Sequence, residues 1–176
     1  SILEIQKESV SFSNIDDLIK NNQNRIHSIA LLHKKLNITD SVNDVDLRRY
    51  VNDLSELVKE SYEIKGKNVS LFVTCKIDIL SISKALPLGL IIVELVSNSM
   101  KHAFGNQRNG IISIEIKHDE NSKKKCLHYI DNGKGFDFKN VETKGLGVEI
   151  TKGLIDQLNG KIESQLKKGF ELKIYF

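Results

Sequence analysis

Apolar side chains in the first part of the chain recur at helical spacing. From residue 15 to residue 36 the gaps alternate between four and three, at Ile15, Ile19, Asn22, Ile26, Ile29, His33 and Leu36. This a/d pattern over about three heptads is typical of a helix that packs on partner helices in a bundle or coiled coil. Asn22 and His33 interrupt the apolar seam, and such polar groups usually set register or oligomeric state. A second helix is predicted over Asp46–Tyr62, with its apolar face at Leu47, Val51, Leu54 and Val58.

After Gly66 the pattern changes to short strands separated by helices. Residues 68–79 have strand composition, and a shorter extended piece is predicted at Leu80–Ile82. A strongly apolar helix follows, and we expect Pro87 to open it because proline suits the first turn of a helix. Alternating strands are predicted at 110–119 and 124–131, then a helix from about 147 to 158, and then two strands after the Asn159–Gly160 turn. The sequence therefore predicts an α+β fold, with a helical segment at 1–65 and a mixed, mostly antiparallel sheet covered by helices at 66–176.

The charge and cysteine content indicate which partners and which cellular compartment to expect. The 176 residues carry a formal net charge of +3, and the densest basic run, Lys123–Lys125, adjoins a predicted turn. A solvated loop explains this run better than a nucleic-acid surface, so we expect no nucleic-acid partner. Cys75 and Cys126 lie in predicted strands, and we expect free, buried thiols in a reducing compartment.

The start of the chain and the length of its apolar runs indicate where in the cell to expect it. No apolar run reaches the roughly 18 residues that span a bilayer. The chain opens inside a periodic pattern and without methionine, which is typical of a piece of a larger protein. We expect a cytoplasmic region, attached to a membrane only through upstream parts if at all.

One helix carries an unusual polar stripe. Glu94, Asn98, Lys101 and His102 fall on one side of it, while Leu95, Val96, Ser99 and Ala103 fall on the other and are available for packing. Polar groups aligned on a helix that is otherwise suited to burial usually face a cavity or a ligand. The alternative is a face that is simply solvated.

Two glycine-rich loops follow the stripe. In DNGKGF, Asp131–Phe136, a strand ends in a carboxylate that can accept a hydrogen bond from an exocyclic amine, and Gly133 and Gly135 leave room for a flat ring. Such a turn is also common without any ligand. In KGLGVEI, Lys144–Ile150, a glycine pair opens a helix and creates an anion site, or only a helix cap. The order of stripe, strand-end carboxylate and second glycine loop favours a nucleotide site.

From about Ala85 onward the chain resembles the ATP-binding catalytic domain of histidine kinases, the Bergerat (GHKL) α/β sandwich shared with gyrase B, MutL and the Hsp90 chaperones. ELVSNSMKHAF looks like the N box, DNGKGF like the G1 box and GLG like the G2 box. Upstream, NQNRIHSIALLHKKL followed by DLRRYVNDLSELV resembles the second dimerisation helix and linker of the subfamily related to the HWE kinases. Members of this subfamily carry a phosphoacceptor box of the type His-x-Arg-Val-Lys-Asn-Asn.

The resemblance implies ATP and Mg²⁺ as cofactors and gives each site residue a role. Asn98 would coordinate the magnesium, Lys101 and His102 would face the phosphates, and Asp131 would receive the adenine amino group. Glu94 would polarise the attacking imidazole or order magnesium-bound water. The remaining positions shape the adenine pocket (Gly133, Gly135) and the hinge of the lid (Gly145, Leu146, Gly147).

The phosphoacceptor is expected outside this chain. IKNN at Ile19–Asn22 resembles the end of the phosphoacceptor box, but that alignment leaves no room for the second helix and the linker. We align SILEIQ instead with the segment that follows the box, which places the reactive histidine about a dozen residues before Ser1. His27 and His33 are then not phosphoacceptors. The lid over Asp137–Lys144 is short and has no aromatic box.

The function implied is that of a two-component sensor histidine kinase. The γ-phosphoryl group of Mg-ATP would pass to the upstream histidine and then to an aspartate on a response regulator receiver domain. We expect a homodimer through the N-terminal helices, and a chain that binds nucleotide without labelling itself. Two alternatives remain: a degenerate kinase that serves as a nucleotide-binding scaffold, and an ATPase or serine kinase of the same fold.

Overall fold

The computed structural model describes residues 2–36, 43–62, 68–105, 109–120, 122–135, 138, 146–167 and 169–176. These residues form four α-helices, α1 (Ile2–Leu36), α2 (Leu47–Ser61), α3 (Ile82–Asn98) and α4 (Leu146–Gln157), and a π-helical turn, Ser99–Ala103. The strands are β1 (Asp44–Asp46), β2 (Asn68–Cys75), β3 (Ile79–Ser81), β4 (Asn109–His118), β5 (Lys125–Asp131), β6 (Lys161–Lys167) and β7 (Gly169–Tyr175).

The main sheet has five strands in the order β2-β4-β5-β7-β6. The β2–β4 pair is parallel and the other pairs are antiparallel, which confirms the predicted α+β class with a mixed, mostly antiparallel sheet. Strand β5 lies in the middle. Alternation in β4 buries Ile112, Ile114 and Ile116 toward the helices, whereas Ile111 on the opposite face is 46% exposed.

Helix α3 lies at the centre of the helical layer, in contact with α1, α2 and α4. Side chains of α2 and α3 belong to the same apolar core as the inner face of the sheet. The predicted domain boundary near residue 65 lies outside the described residues. Together with the π-helical turn, α3 is long and apolar enough to cross a membrane by length and composition, so the sequence does contain such a run. In the fold 67% of its apolar 18-residue window is buried, as in the core helix of a globular domain.

Helix α3 begins before the predicted start. Ser81 is its N-cap, and Pro87 lies inside the helix, so the prediction that Pro87 opens α3 is wrong. A proline here removes only the hydrogen bond to the carbonyl of Ser83, an exposed residue in the first turn. Pro87 is itself buried, as are Ala85 and Leu88 on the same helix, and this burial favours keeping the helix continuous.

The apolar seam of α1 faces outward. Ile15, Ile19, Ile26 and Ile29 are 46%, 51%, 63% and 48% exposed, and Asn22 and His33 are exposed as well. A different face of the helix, with Asn24, Ser28 and Leu32, is buried against the rest of the chain. The side chain of Leu36 lies outside the described part. Helix α1 therefore has one face in the fold and a second, apolar face that the described chain leaves open.

A two-stranded sheet of β1 and β3 is a feature that the sequence analysis missed in part. Asp44, Val45 and Asp46 pair with Ser81, Leu80 and Ile79. The sequence predicted an extended piece at Leu80–Ile82, which overlaps β3, but no strand at the residues of β1. Both cysteines are free and buried, as expected, and burial raises the pKa of each thiol.

Candidate functional site

The polar stripe of α3 runs from the core to the surface. Glu94 is 1% exposed, Asn98 and Lys101 are half-buried, and His102 is exposed. On the other side Leu95 and Val96 are buried, as predicted. A solvated face would not bury its first carboxylate, so the stripe is not simply the outer side of the helix.

After Asn98 the helix widens into a π-helical turn, Ser99–Ala103. Such turns are rare and often lie at functional sites. The turn keeps Ser99 and Met100 buried while it turns His102 to the surface. No proline or glycine in SMKHA signals it, and sequence analysis predicted a regular helix here.

Glu94 is held from α1. Its Oε1 accepts a hydrogen bond of 2.6 Å from Nε of Arg25, which is an ion pair between residues far apart in sequence. Its Oε2 is inaccessible to solvent and has no hydrogen-bond partner among the described residues. A Cβ atom at position 147 would lie 2.6 Å from this oxygen and 3.8 Å from Nδ2 of Asn98. The unpartnered oxygen therefore faces Gly147 at the start of α4, close to the amide of Asn98.

Lys101 also meets α1. Its Nζ donates a hydrogen bond of 3.0 Å to Oδ1 of Asn21 and lies 5.1 Å from the ring centroid of Tyr62. The hydroxyl of Tyr62 donates to the same oxygen of Asn21. Residues from α1 and from the end of α2 thus fix the ammonium group of the stripe.

Asp131 ends the central strand β5 and is 2% exposed. Its Oδ1 accepts a hydrogen bond of 2.9 Å from the backbone N–H of Gly133, and its Oδ2 accepts one of 2.6 Å from the hydroxyl of Ser99. The hydroxyl of Tyr129 donates to Ser99 across 2.7 Å, and burial raises the pKa of Tyr129 well above its usual range. This chain of hydroxyl groups fixes the carboxylate while leaving lone pairs on both oxygens for a further donor.

The first glycine loop is fastened to the π-helical turn. The N–H of Lys134 donates to the carbonyl of Ala103 across 2.9 Å, and a Cβ atom at Gly133 would collide with Ala103. Gly133 is thus required for close packing against protein. Gly135 has a φ of 70°, which glycine adopts without strain.

The second glycine loop is only partly described. Gly145 and most of the predicted lid lie outside the described residues, as does the side chain of Leu146, the first residue of α4. Gly147 follows in the first turn of α4, next to Glu94. Within the lid range, Phe138 is described and is buried against Phe170, with ring centroids 6.2 Å apart.

Two sequence models of known families match the chain. Residues 1–62 match a model described as "Histidine kinase", and residues 83–176 match one described as "Histidine kinase-, DNA gyrase B-, and HSP90-like ATPase". The chain belongs to the histidine kinase family. Its first part is of the HWE type that the sequence analysis named, and its second part is a GHKL domain, a domain that binds ATP.

Solved structures support the same fold for this histidine kinase. The histidine kinase domain of the Erythrobacter litoralis EL346 blue-light activated histidine kinase matches with a TM-score of 0.77 at 17% identity, over 89% of this chain and 74% of that one. A longer chain of that protein matches with a TM-score of 0.75 at 17% identity, over 86% of this chain and 46% of that one. Acinetobacter baumannii histidine kinase AdeS matches with a TM-score of 0.61 at 16% identity, over 86% of this chain and 75% of that one. No curated protein gave a significant sequence match.

The residues of the candidate site fit a magnesium ion that would be bound mainly by the nucleotide. Mg²⁺ prefers oxygen ligands, keeps several waters, and usually takes few ligands from the protein when phosphates supply the rest. The amide of Asn98 and the unpartnered Oε2 of Glu94 both lie close to Gly147. In the described part of the chain no three His, Cys, Asp or Glu residues form a cluster that could hold a metal alone.

Several residues that organise this site were not predicted from the sequence. Arg25 and Asn21 lie in α1, and nothing local in the sequence indicates that they reach α3. Ser99 was assigned to packing, and it does pack, but it also donates to Asp131. Tyr129 could have been found, since it precedes Asp131 by two residues and therefore shares its face of the strand.

Proposed function

We propose that this chain is the ATP-binding catalytic region of a two-component sensor histidine kinase. The full protein transfers the γ-phosphoryl group of Mg-ATP to a histidine upstream of Ser1, and from there to an aspartate on a response regulator receiver domain. The observation that carries the proposal is Asp131. A carboxylate that is 2% exposed, oriented by Ser99 and Gly133, lies beside a helix whose Glu94 has an unpartnered buried oxygen.

The proposed roles divide the site between base and phosphates. Asp131 accepts the adenine amino group on a free lone pair, with Gly133 and Gly135 shaping the pocket around the ring. Asn98 coordinates the magnesium, which draws negative charge away from the phosphates during transfer. Lys101 and His102 face the phosphates. Glu94 orders magnesium-bound water or polarises the attacking imidazole, and the hinge of the lid is formed by Gly145, Leu146 and Gly147.

We propose a homodimer through α1, located in the cytoplasm. Four isoleucines of the seam are 46–63% exposed in the single chain. Burial of such apolar side chains against a second copy of the helix would stabilise the dimer. His27 and His33 are exposed on α1, and we propose that neither accepts the phosphoryl group. In this proposal the chain binds nucleotide but does not label itself.

Calorimetry with Mg-ADP tests the nucleotide site. Asp131→Asn keeps the size of the side chain and removes the carboxylate, and we expect binding to weaken by about tenfold or more because the charge-assisted hydrogen bond to the base is lost. Asp156→Asn, on an exposed position of α4, is the matched control and should bind as the parent does. Equal binding by the parent and Asp131→Asn would overturn the assignment of the base site.

Labelling with ATP separates kinase from the alternatives. The protein extended upstream through the phosphoacceptor box should acquire acid-labile phosphate, and Asn98→Asp should abolish it. Steady ATP hydrolysis without phosphohistidine would favour an ATPase of the same fold, and nucleotide binding without either activity would favour a scaffold. Phosphate on His27 or His33 of the present chain would overturn the proposed position of the phosphoacceptor.

A further inference from the structure

Helix α1 reaches the proposed nucleotide site with two side chains. Arg25 contacts Glu94 at 2.6 Å and Asn21 contacts Lys101 at 3.0 Å, across sequence separations of 69 and 80 residues. Glu94 and Lys101 are two of the four polar residues of the stripe. The helix that carries the outward apolar seam is therefore also a wall of the site.

The Arg25–Glu94 pair is enclosed. The side chain of Arg25 is 18% exposed and that of Glu94 is 1% exposed. A buried carboxylate is stable as an anion only when a cation or several donors compensate its lost hydration. Among the described residues, Nε of Arg25 is the hydrogen-bond donor to Glu94. Arg25 is in turn oriented by its own helix, since Nη1 donates to Oδ1 of Asn22 across 3.1 Å.

This geometry fixes the second oxygen of the carboxylate. Because the carboxylate is planar and rigid, holding Oε1 on Arg25 determines where Oε2 points. Oε2 faces Gly147 at the start of α4, close to the amide of Asn98. Without the guanidinium group, the Glu94 side chain loses this donor and is free to rotate away.

We propose that Arg25 is a positioning residue of the nucleotide site, which holds Glu94 with Oε2 turned toward the magnesium side of the nucleotide. The inference rests on the proposed function and adds to it a residue from the dimerisation helix. Arg25 acts through Glu94 and itself touches neither the base nor the phosphates.

The test is a double-mutant cycle on the magnesium dependence of ADP binding. Calorimetry measures the Kd of ADP with Mg²⁺ and with EDTA for the parent, Arg25→Gln, Glu94→Gln and the double variant. The ratio of the two Kd values is the magnesium enhancement. We expect each single change to lower the magnesium enhancement by about tenfold, which lies within the range of interaction energies for residues in contact. The enhancement of the double variant should be no lower than that of either single variant. Affinity in EDTA should stay within about twofold of the parent because positioning acts only through the metal side.

A purely structural role of Arg25 predicts a different result. It would weaken ADP binding equally with Mg²⁺ and with EDTA, and this outcome overturns the inference. Additive effects in the cycle overturn it too, as does tighter Mg-ADP binding by Arg25→Gln, which would mean that Arg25 competes with the metal. If the parent shows no ADP binding at all, the proposed function fails, whereas an unchanged enhancement in Arg25→Gln leaves that function intact and removes only the inference.

Two further variants serve as a control and as an alternative if Arg25→Gln does not fold. Arg48→Gln is the matched control, because Arg48 also pairs with an acid, Asp78 at 2.8 Å, but at an exposed site with side chains 58% and 79% exposed. Its magnesium enhancement should equal that of the parent. If Arg25→Gln does not fold, Arg25→Lys keeps the charge and loses the Nε donor. An enhancement between those of the parent and Glu94→Gln is then expected, and a parental value overturns the inference.

Discussion

Ser99 donates a hydrogen bond of 2.6 Å to Asp131 and thereby joins the π-helical turn after α3 to the last residue of β5. The two residues come from the two motifs that sequence analysis assigned to opposite ends of the nucleotide, the N box and the G1 box. The phosphate side and the base side of the proposed site are therefore mechanically connected. Tyr129 extends the connection into the core, because its hydroxyl donates to Ser99.

Replacing Ser99 with alanine should weaken both the fold and nucleotide binding. The change removes one donor from a buried carboxylate and one acceptor from a buried tyrosine, and we expect a loss of about 1–3 kcal/mol in the free energy of unfolding. Affinity for Mg-ADP should fall several-fold because Asp131 is no longer held. Urea unfolding and calorimetry measure the two effects, and Ser83→Ala, at an exposed position of α3, is the control. Unchanged affinity in a folded Ser99→Ala protein would contradict the prediction.

Stability should fall at alkaline pH through Tyr50. Burial raises the pKa of Tyr50 from 10.0 to about 12, so the folded state resists loss of the proton. The contribution of this raised pKa to the free energy of unfolding is complete below pH 10.0, where Tyr50 keeps its proton in both the folded and the unfolded state. It is lost as the pH rises from 10.0 toward about 12. Tyr50→Phe should remove up to about 1.4 kcal/mol per pH unit from the slope of unfolding free energy in that range.

The control for this pH effect is Ser28→Ala. The hydroxyl groups of Ser28 and Tyr50 are hydrogen-bonded at 2.9 Å, so both variants lose the same interaction. Only Tyr50→Phe loses the ionisable group. Urea unfolding at several pH values should therefore show lower stability in both variants but a shallower alkaline slope only in Tyr50→Phe. Parallel slopes would assign the alkaline loss to other groups.

Gly89→Ala should destabilise the contact between α2 and α3. A Cβ atom at position 89 would collide with the ring and hydroxyl of Tyr50, both buried, and overpacking of this kind costs about 1–3 kcal/mol. Gly153→Ala is the matched control, since a Cβ atom at this exposed position of α4 meets nothing within 4 Å. There alanine should stabilise by about 0.5–1 kcal/mol through helix propensity. Thermal unfolding of the two variants should shift in opposite directions, and equal shifts would count against the close α2–α3 approach.

The apolar seam of α1 should carry the dimer. Ile26→Glu should convert a dimer into a monomer, because a charge cannot be buried without a partner at a helix interface. Ile79→Glu is the control, since Ile26 and Ile79 are each 63% exposed and Ile79 lies in β3 away from the seam. Light scattering gives the mass of each variant, with unfolding measurements to show that both remain folded. A parent that is monomeric at all concentrations would refute the dimer.

Much of the fold could be predicted because it depends on local pattern. Alternation in β4 and β5 follows from which side chains meet the core, and the β4–β5 hairpin joins neighbours in sequence. Strand β1 has only three residues and is stabilised by pairing with β3, so its own sequence carries little signal. Pro87 misled the prediction of the helix start because the tertiary packing of α3 outweighed a local preference.

The candidate site, like the fold, has a part that could be predicted from the sequence and a part that could not. Resemblance to the family assigned its motif residues, and among these the structure buries Glu94 and Asp131. The partners that orient them could not be located, because Arg25 reaches Glu94 only after α1 docks on α3. The π-helical turn is a further example, since it depends on how Ser99 and Ala103 fit β5 and the following loop.

The central place of β5 has a consequence for partial unfolding. Asp131 lies on a strand flanked by β4 and β7, where it pairs in register with Ile112 and Phe170. Local opening starts at edges and helix ends, and interior strands exchange their amide hydrogens last. Loosening of the periphery, whether by heat or by departure of α1, should thus leave the carboxylate proposed to recognise the purine among the last groups to become disordered.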